Sequence, residues 1–232
     1  MVELFWFPSP ATPPVLTDPS APISQVSTRI GDDRLDATLG LDQPIVEVHG
    51  VRLRLAASGW MSFRQGGPLT YHLLTLDGTF GLPLAYRHEA WTFEGGWRHT
   101  SAHLADGTRL DTDDARAPST YSREELWMRA SRQGDWLRPF AGGSWLVRTT
   151  PSVPRGALEL GAQVDWRLLF VEVRASYTGT TLGLDGFVGS GNDAAWLGLY
   201  ASRGADRRGQ YLGDTDSAVG LRLAVRPTLG PR

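Results

Sequence analysis

His99 and Ser101 are the residues of this chain whose types and spacing suit the cleavage of an ester. They stand two positions apart in a segment that alternates like a β-strand, so both side chains lie on one face. A histidine can remove the proton of a serine hydroxyl, and the serine oxygen then attacks an acyl carbonyl. A carboxylate beside the imidazole would orient it and stabilise its charged form.

Three carboxylates are candidates for that third role. Glu124 and Glu125 open the next predicted strand, and Asp113 lies in the connection before it. Glu124 is preferred because it is in phase with Leu126 and Met128, which belong to the apolar face of that strand.

His103 shares the phase of His99 and is either an alternative base or a residue of the rim. A His-x-Ser pair at a strand end also arises by chance, and no donors for an oxyanion can be named from the sequence.

The elements that must position these residues are strands with one apolar and one polar face. In the run from Val51 to Phe63 the odd positions are apolar or small, and Arg52, Arg54, Ser58 and Ser62 stand between them. Similar alternation predicts up to twelve strands, at 24–30, 34–42, 51–64, 70–80, 90–102, 121–132, 136–148, 158–165, 169–176, 182–189, 196–202 and 219–226. Ten of them are the better supported, and the segments 24–30 and 34–42 raise the total to the preferred twelve. The weak strand at 182–189 is needed because bacterial single-chain barrels have even strand numbers.

Alternation alone fits either a barrel with an apolar core or a membrane barrel with an apolar exterior. The polar faces carry full charges in mid-strand, which could pair with one another inside a closed barrel. These predicted lumen charges are Arg52, Arg54, Asp77, Glu94, Arg98, Glu159, Glu172, Arg174 and Arg222. Trp91, Trp145 and Trp166 fall on the apolar faces, as in interfacial girdles of membrane proteins. We therefore predict a closed, antiparallel, up-and-down transmembrane β-barrel with a narrow charged lumen and no wide pore.

In a barrel with an even number of strands, successive connections fall at opposite ends. Their lengths then predict how the barrel is oriented in the membrane, since periplasmic turns are short and extracellular loops are longer. The connections 103–120, 148–156 and 204–215 are predicted to be extracellular, together with the short connection 65–69. Those at 133–135, 166–168 and 190–193 are predicted to be periplasmic, together with 81–89.

Composition excludes several classes of function. The 232 residues have a formal net charge of −2, so no nucleic-acid partner is expected. There is no cysteine, and no stretch approaches the ~18 apolar residues of a membrane helix. The acidic segment from Asp106 to Asp114 could hold calcium, but its spacing is not that of an EF-hand and a solvated loop is preferred. No metal and no cofactor is predicted.

The chain is divided into a proline-rich lead-in at 1–22, a barrel at 23–228 and a tail at 229–232. The first residues lack the pattern of a signal peptide, although an outer-membrane protein must be exported. We expect that a signal lies upstream of the sequence given, or that the start is misassigned.

The segment from His99 to Asp106, HTSAHLAD, resembles the H-x-S-S-H-L-x-D motif of an uncharacterised family of outer-membrane barrel proteins of Gram-negative bacteria. Similarity extends to Thr17-Asp18-Pro19, to the segment from Gly81 to Arg87 and to Gly209-Gln210-Tyr211, and Ala102 departs from the motif. The resemblance implies an outer-membrane location and a barrel, but no activity. The His-x-Ser pair itself resembles the arrangement of outer-membrane lipid A deacylases.

Three functions remain open from the sequence. The leading hypothesis is a structural or accessory outer-membrane barrel without catalysis. The alternative is a surface acyl hydrolase that acts on phospholipid or lipopolysaccharide. The third is a water-soluble β-barrel that binds a ligand.

Overall fold

The computed structural model describes residues 2–4, 24–105, 121–192, 195–205 and 214–225. These residues form thirteen strands: β1 (Val2–Leu4), β2 (Ser24–Arg29), β3 (Arg34–Val48), β4 (Val51–Gly67), β5 (Thr70–His88), β6 (Trp91–Leu104), β7 (Tyr121–Arg132), β8 (Leu137–Thr150), β9 (Gly156–Trp166), β10 (Leu169–Tyr177), β11 (Leu182–Gly191), β12 (Ala195–Ala205) and β13 (Thr215–Val225). No helix in this part of the chain is long and apolar enough to cross a membrane.

Strands β2 to β13 close into one antiparallel barrel. Each pairs with its neighbour in sequence, and β13 closes the ring on β2 through pairs such as Leu221 with Thr28. The predicted closed barrel of twelve strands is confirmed. Strand β1 pairs with the end of β3 that β2 does not cover, with Val2 opposite Val48.

Alternation sorts the side chains between two surfaces. Leu160 is 64% exposed and Leu221 52% exposed on the outside, whereas Glu172 is fully buried and Arg222 almost so on the inside. A water-soluble barrel requires the opposite arrangement, because its apolar side chains must fill the interior. The third interpretation of the sequence is therefore wrong about which face is apolar.

Two strands continue beyond the ends that the sequence predicts for them, at residues 42 and 80, and each passes a proline. Strand β3 passes Pro44 by means of a bulge at Ile45, which absorbs the missing backbone donor. Strand β5 passes Pro83 and continues to His88, so the predicted connection 81–89 shrinks to Glu89 and Ala90. Proline lacks the N–H of a ladder residue, but a strand can continue where that bond is not made.

The connections at the two ends of the barrel differ in length. At one end, here the turn end, strands are joined by two to four residues, as at His49–Gly50 and Arg167–Leu168. His49 and Gly50 both have positive φ, 50° and 80°, as a two-residue type I′ hairpin requires. The opposite end, here the loop end, carries the long connections after β6 and β12. This asymmetry agrees with the predicted grouping of short and long connections.

Ion pairs line the inner wall, where the structure places all nine predicted lumen charges. Glu159 lies between two arginines, 2.7 Å from Arg129 and 2.9 Å from Arg174. Arg54 contacts Asp42 at 3.1 Å and Glu94 at 2.8 Å. The remaining pairs and contacts follow the same pattern: Arg52 with Glu47, Arg98 with Glu125, Arg174 with Asp185, Gln163 with Glu172, and Arg222 over the ring of Tyr200. Buried charges are tolerated when paired in this way.

The interior is filled at the turn end and hollow towards the loop end. Phe170 packs at 6.0 Å against both Phe187 and Trp196, and these rings form a buried cluster with Tyr200. We call this cluster the aromatic plug. Beyond it a cavity of about 620 Å³ reaches the connections of the loop end.

Candidate functional site

His99 and Glu124 meet on the outer surface of the barrel. They occupy directly opposed positions of β6 and β7, and His99 Nδ1 lies 2.7 Å from Glu124 Oε1. Each side chain is about one-quarter exposed, at 24% and 27%. Their opposition follows from the register of the two strands, so the ladder itself holds the imidazole against the carboxylate.

Aromatic rings fix the orientation of the imidazole from the other side. Phe80 lies opposite His99 on β5, with ring centroids 5.2 Å apart, and Trp97 lies 6.5 Å from His99 on the same strand. Phe80 and Trp97 also pack edge to face at 5.2 Å. Such contacts restrict the ring, and Nδ1 bound to Glu124 leaves Nε2 as the other nitrogen of the imidazole for a substrate or a serine.

Ser101 lies two residues beyond His99 on the same face, towards the loop end. The described residues include no hydrogen bond between Ser101 Oγ and His99. Gly78 stands opposite Ser101 on β5, and a Cβ added there would lie 3.8 Å from Ser101 Oγ. The missing side chain at Gly78 leaves that flank of the hydroxyl accessible.

The site stands where the exterior changes from apolar to polar. Across strands β5 to β8 the register forms three outward rows, ordered from the turn end towards the loop end. The first is apolar, the second carries the His–Glu pair, and the third is small and polar: Leu82–Trp97–Leu126–Trp145, Phe80–His99–Glu124–Arg148 and Gly78–Ser101–Ser122–Thr150. A hydrolytic group in this place would meet a lipid where its acyl chains end and its polar groups begin.

Of the alternative site residues, Glu125 is excluded by its face. It points into the lumen, where it forms an ion pair with Arg98, so the alternative assignment of Glu125 to the site is wrong. His103 is exposed on the outer face, opposite Leu76 of β5. Asp113 lies outside the described residues, as does the acidic segment from Asp106 to Asp114.

Arg148 belongs to the second outward row, beside Glu124, and the sequence analysis did not identify it. Strict alternation from the outward Trp145 would direct Arg148 into the lumen. The pairing of β7 with β8 contains a bulge, because Glu125 pairs with Leu146 and Glu124 with Arg148. The extra residue, Val147, shifts the phase and turns Arg148 outward. The break in alternation at Val147 and Arg148 was the available signal.

No group of three or more His, Asp or Glu side chains among the described residues could hold a metal ion.

Comparison with known proteins relates this chain by fold to outer-membrane barrels. The outer membrane phospholipase A from Escherichia coli matches with a TM-score of 0.66 at 13% identity, over 95% of each chain. The outer membrane phospholipase dimer of Salmonella typhi, solved with bound calcium, matches with a TM-score of 0.67 at 13% identity, over 89% of this chain and 91% of that chain. No family model matches, and no curated protein sequence matches. At this identity the likeness establishes the fold alone: the chain has the fold of an outer-membrane β-barrel.

Proposed function

We propose that this protein is an outer-membrane acyl hydrolase that cleaves ester bonds of membrane lipids with Ser101, His99 and Glu124. The observation that carries the proposal is the 2.7 Å contact between His99 Nδ1 and Glu124 Oε1 on the outer face, with Ser101 two residues along. The fold shared with an outer membrane phospholipase adds support, although the low identity transfers no residue roles.

The reaction divides into two balanced steps. Ser101 Oγ attacks the ester carbonyl and His99 Nε2 takes the hydroxyl proton, while Glu124 stabilises the imidazolium that forms. The carbon–oxygen bond of the ester breaks, the proton passes to the leaving alcohol, and an acyl-serine remains. Water, activated by the same imidazole, releases the fatty acid and restores Ser101. A rotation of the Ser101 hydroxyl towards His99 on substrate binding is part of this proposal, since hydrogen bonds of catalytic groups often tighten in the complex.

The position of the site supports a lipid as the substrate. The apolar row on the turn-end side of His99 and Glu124, where acyl chains would lie, contains Trp97, Leu126 and Trp145. Ser101 itself and Ser122 belong to the polar row on the loop-end side of His99 and Glu124. An ester group occupies the corresponding depth in a membrane lipid, between its chains and its headgroup. The outer membrane of a Gram-negative bacterium is the location we infer from the fold.

The test compares two serines of the same row. The full chain, folded in a neutral detergent, is assayed for release of fatty acid from phospholipid and from lipid A. Ser101→Ala is expected to reduce the rate by about 10³-fold or more, because it removes the nucleophile. Ser122→Ala is the matched control, since Ser122 lies directly opposite on β7 and is expected to retain full activity. A fluorophosphonate probe should label the wild type and the Ser122 variant, but not the Ser101 variant.

The alternative is the structural or accessory role without catalysis. The absence of a Ser101–His99 hydrogen bond among the described residues favours it. Under that alternative, lipid cleavage is undetectable or equal in the wild type and Ser101→Ala, and the probe labels neither. Either result would refute the hydrolase.

A further inference from the structure

A bulge beside the candidate site brings a cation to the lipid-facing surface. Val147 is the extra residue in the pairing of β7 with β8, and Arg148 thereby stands directly opposite Glu124 on the outer face. Bulges commonly re-aim a side chain, and they are frequent beside active sites. An arginine on the outside of a barrel is unfavourable within hydrocarbon, so a position at the polar boundary is the one where it is tolerated.

The arginines of the inner wall and Arg148 are in different situations. Arg54 and Arg129 are enclosed and paired with carboxylates at 3.1 Å or less. Arg148 is exposed, and no carboxylate of the described residues forms an ion pair with it. Glu124, its neighbour across the strands, directs Oε1 to His99, and its buried Oε2 has no hydrogen-bond partner. The exposed Arg148 is therefore available on the outer face to a group from outside the barrel.

We propose that Arg148 binds the phosphate of a membrane lipid and thereby makes the site selective for phosphate-bearing acyl esters. The inference rests on the proposed hydrolase, whose substrate class it specifies. A guanidinium offers paired N–H donors that match phosphate oxygens. His99, Glu124 and Arg148 stand in one row on adjacent strands, so the backbone of Arg148 is about 10 Å from that of His99. A phosphate lies only a short distance from the ester of the same lipid. The long side chain of Arg148 can therefore reach that phosphate while the ester lies at His99.

The test first measures binding without turnover. In the Ser101→Ala background and a neutral maltoside detergent, energy transfer from tryptophan to a dansyl lipid reports binding of phosphatidic acid and of diacylglycerol with the same chains. Arg148→Gln is expected to weaken binding of phosphatidic acid about 10-fold and to leave diacylglycerol unchanged, because a charged hydrogen bond is lost. Arg148→Lys should recover part of the affinity.

Arg203→Gln is the matched control. Arg203 is another exposed arginine towards the loop end, and it pairs across β11 and β12 with the outward Leu184. It should bind both lipids as the wild type does. Equal losses for Arg148→Gln and Arg203→Gln, or equal losses for the two lipids, would overturn the proposal. Displacement of phosphatidic acid by inorganic phosphate at equal concentration would assign the site to free phosphate and would also overturn it.

Kinetics on the Ser101-intact protein separate this inference from the function on which it rests. Arg148→Gln should raise KM for phosphatidic acid about 10-fold at nearly constant kcat, and leave the hydrolysis of an uncharged acyl ester unaffected. If the wild type cleaves neither substrate, the hydrolase is wrong, while the binding comparison still decides whether Arg148 recognises phosphate. If the wild type cleaves lipid and Arg148→Gln does not weaken the binding of phosphatidic acid, only the present inference is wrong.

Discussion

Glu124 Oε1 lies 2.7 Å from His99 Nδ1, between residues that oppose each other in the β6–β7 ladder. The backbone hydrogen bonds on either side of this pair fix both Cα positions. The contact is therefore a property of the strand register, and it does not depend on a flexible loop.

Replacing Glu124 by alanine should impair catalysis more than replacing it by glutamine. The glutamine oxygen can still accept the hydrogen bond from His99 Nδ1–H, but it loses the charge that stabilises the imidazolium. We expect kcat to fall about 10²-fold for Glu124→Gln and about 10³-fold for Glu124→Ala, with KM nearly unchanged. Steady-state kinetics in mixed micelles measures this split. Equal activity of both variants and the wild type would remove Glu124 from the mechanism.

Leu160 tests which face of the barrel meets hydrocarbon. It lies in mid-strand on β9 and is 64% exposed. Leu160→Arg should destabilise the folded barrel in a bilayer by about 2–4 kcal/mol, because a charge would enter the hydrocarbon near its midplane. Urea unfolding in lipid vesicles measures the change, and Leu160→Ala provides the control for lost side-chain volume. An unchanged midpoint for the arginine variant would contradict the transmembrane assignment.

Glu159 should contribute to stability through two arginines at once. It joins Arg129 of β7 to Arg174 of β10 across the inner wall. Glu159→Ala leaves two cations without this shared carboxylate and should cost about 3–5 kcal/mol of unfolding free energy. The same vesicle assay tests it, and a double variant that also replaces Arg174 should recover part of the loss. A cost below that of Leu160→Ala would show that the triad contributes little.

The aromatic plug predicts a barrel that conducts ions poorly. Phe170, Phe187 and Trp196 pack together inside the barrel at the turn end. In planar bilayers the wild type should give no porin-sized conductance steps. Phe187→Ala should cost about 3–5 kcal/mol of stability, because it leaves a cavity among buried rings. The combined alanine variant of Phe170 and Phe187 should show larger conductance than the wild type, and large steps in the wild type itself would refute the plug.

The alternation of the sequence predicted the fold well because it depends on local geometry alone. Every second side chain faces one way, which separates the inner charges from the outer surface and places Glu124 on the same face as His99. Where the phase changes, sequence reasoning failed. The sequence predicts ends at residues 42 and 80 for β3 and β5, whereas the structure extends β3 past Pro44 by a bulge and β5 past Pro83. Arg148 was missed because a bulge depends on the register of the neighbouring strand, which no local pattern reveals.

Arginine supplies the positive charges of the inner wall, because the chain contains no lysine. A guanidinium stays protonated at an alkaline pH at which an amine loses its proton. An alkaline carbonate wash, which detaches peripheral proteins from membranes, should therefore leave the pairs between Glu159, Arg129 and Arg174 intact. Amine-directed crosslinkers should find no side chain to modify, whether the barrel is folded or denatured.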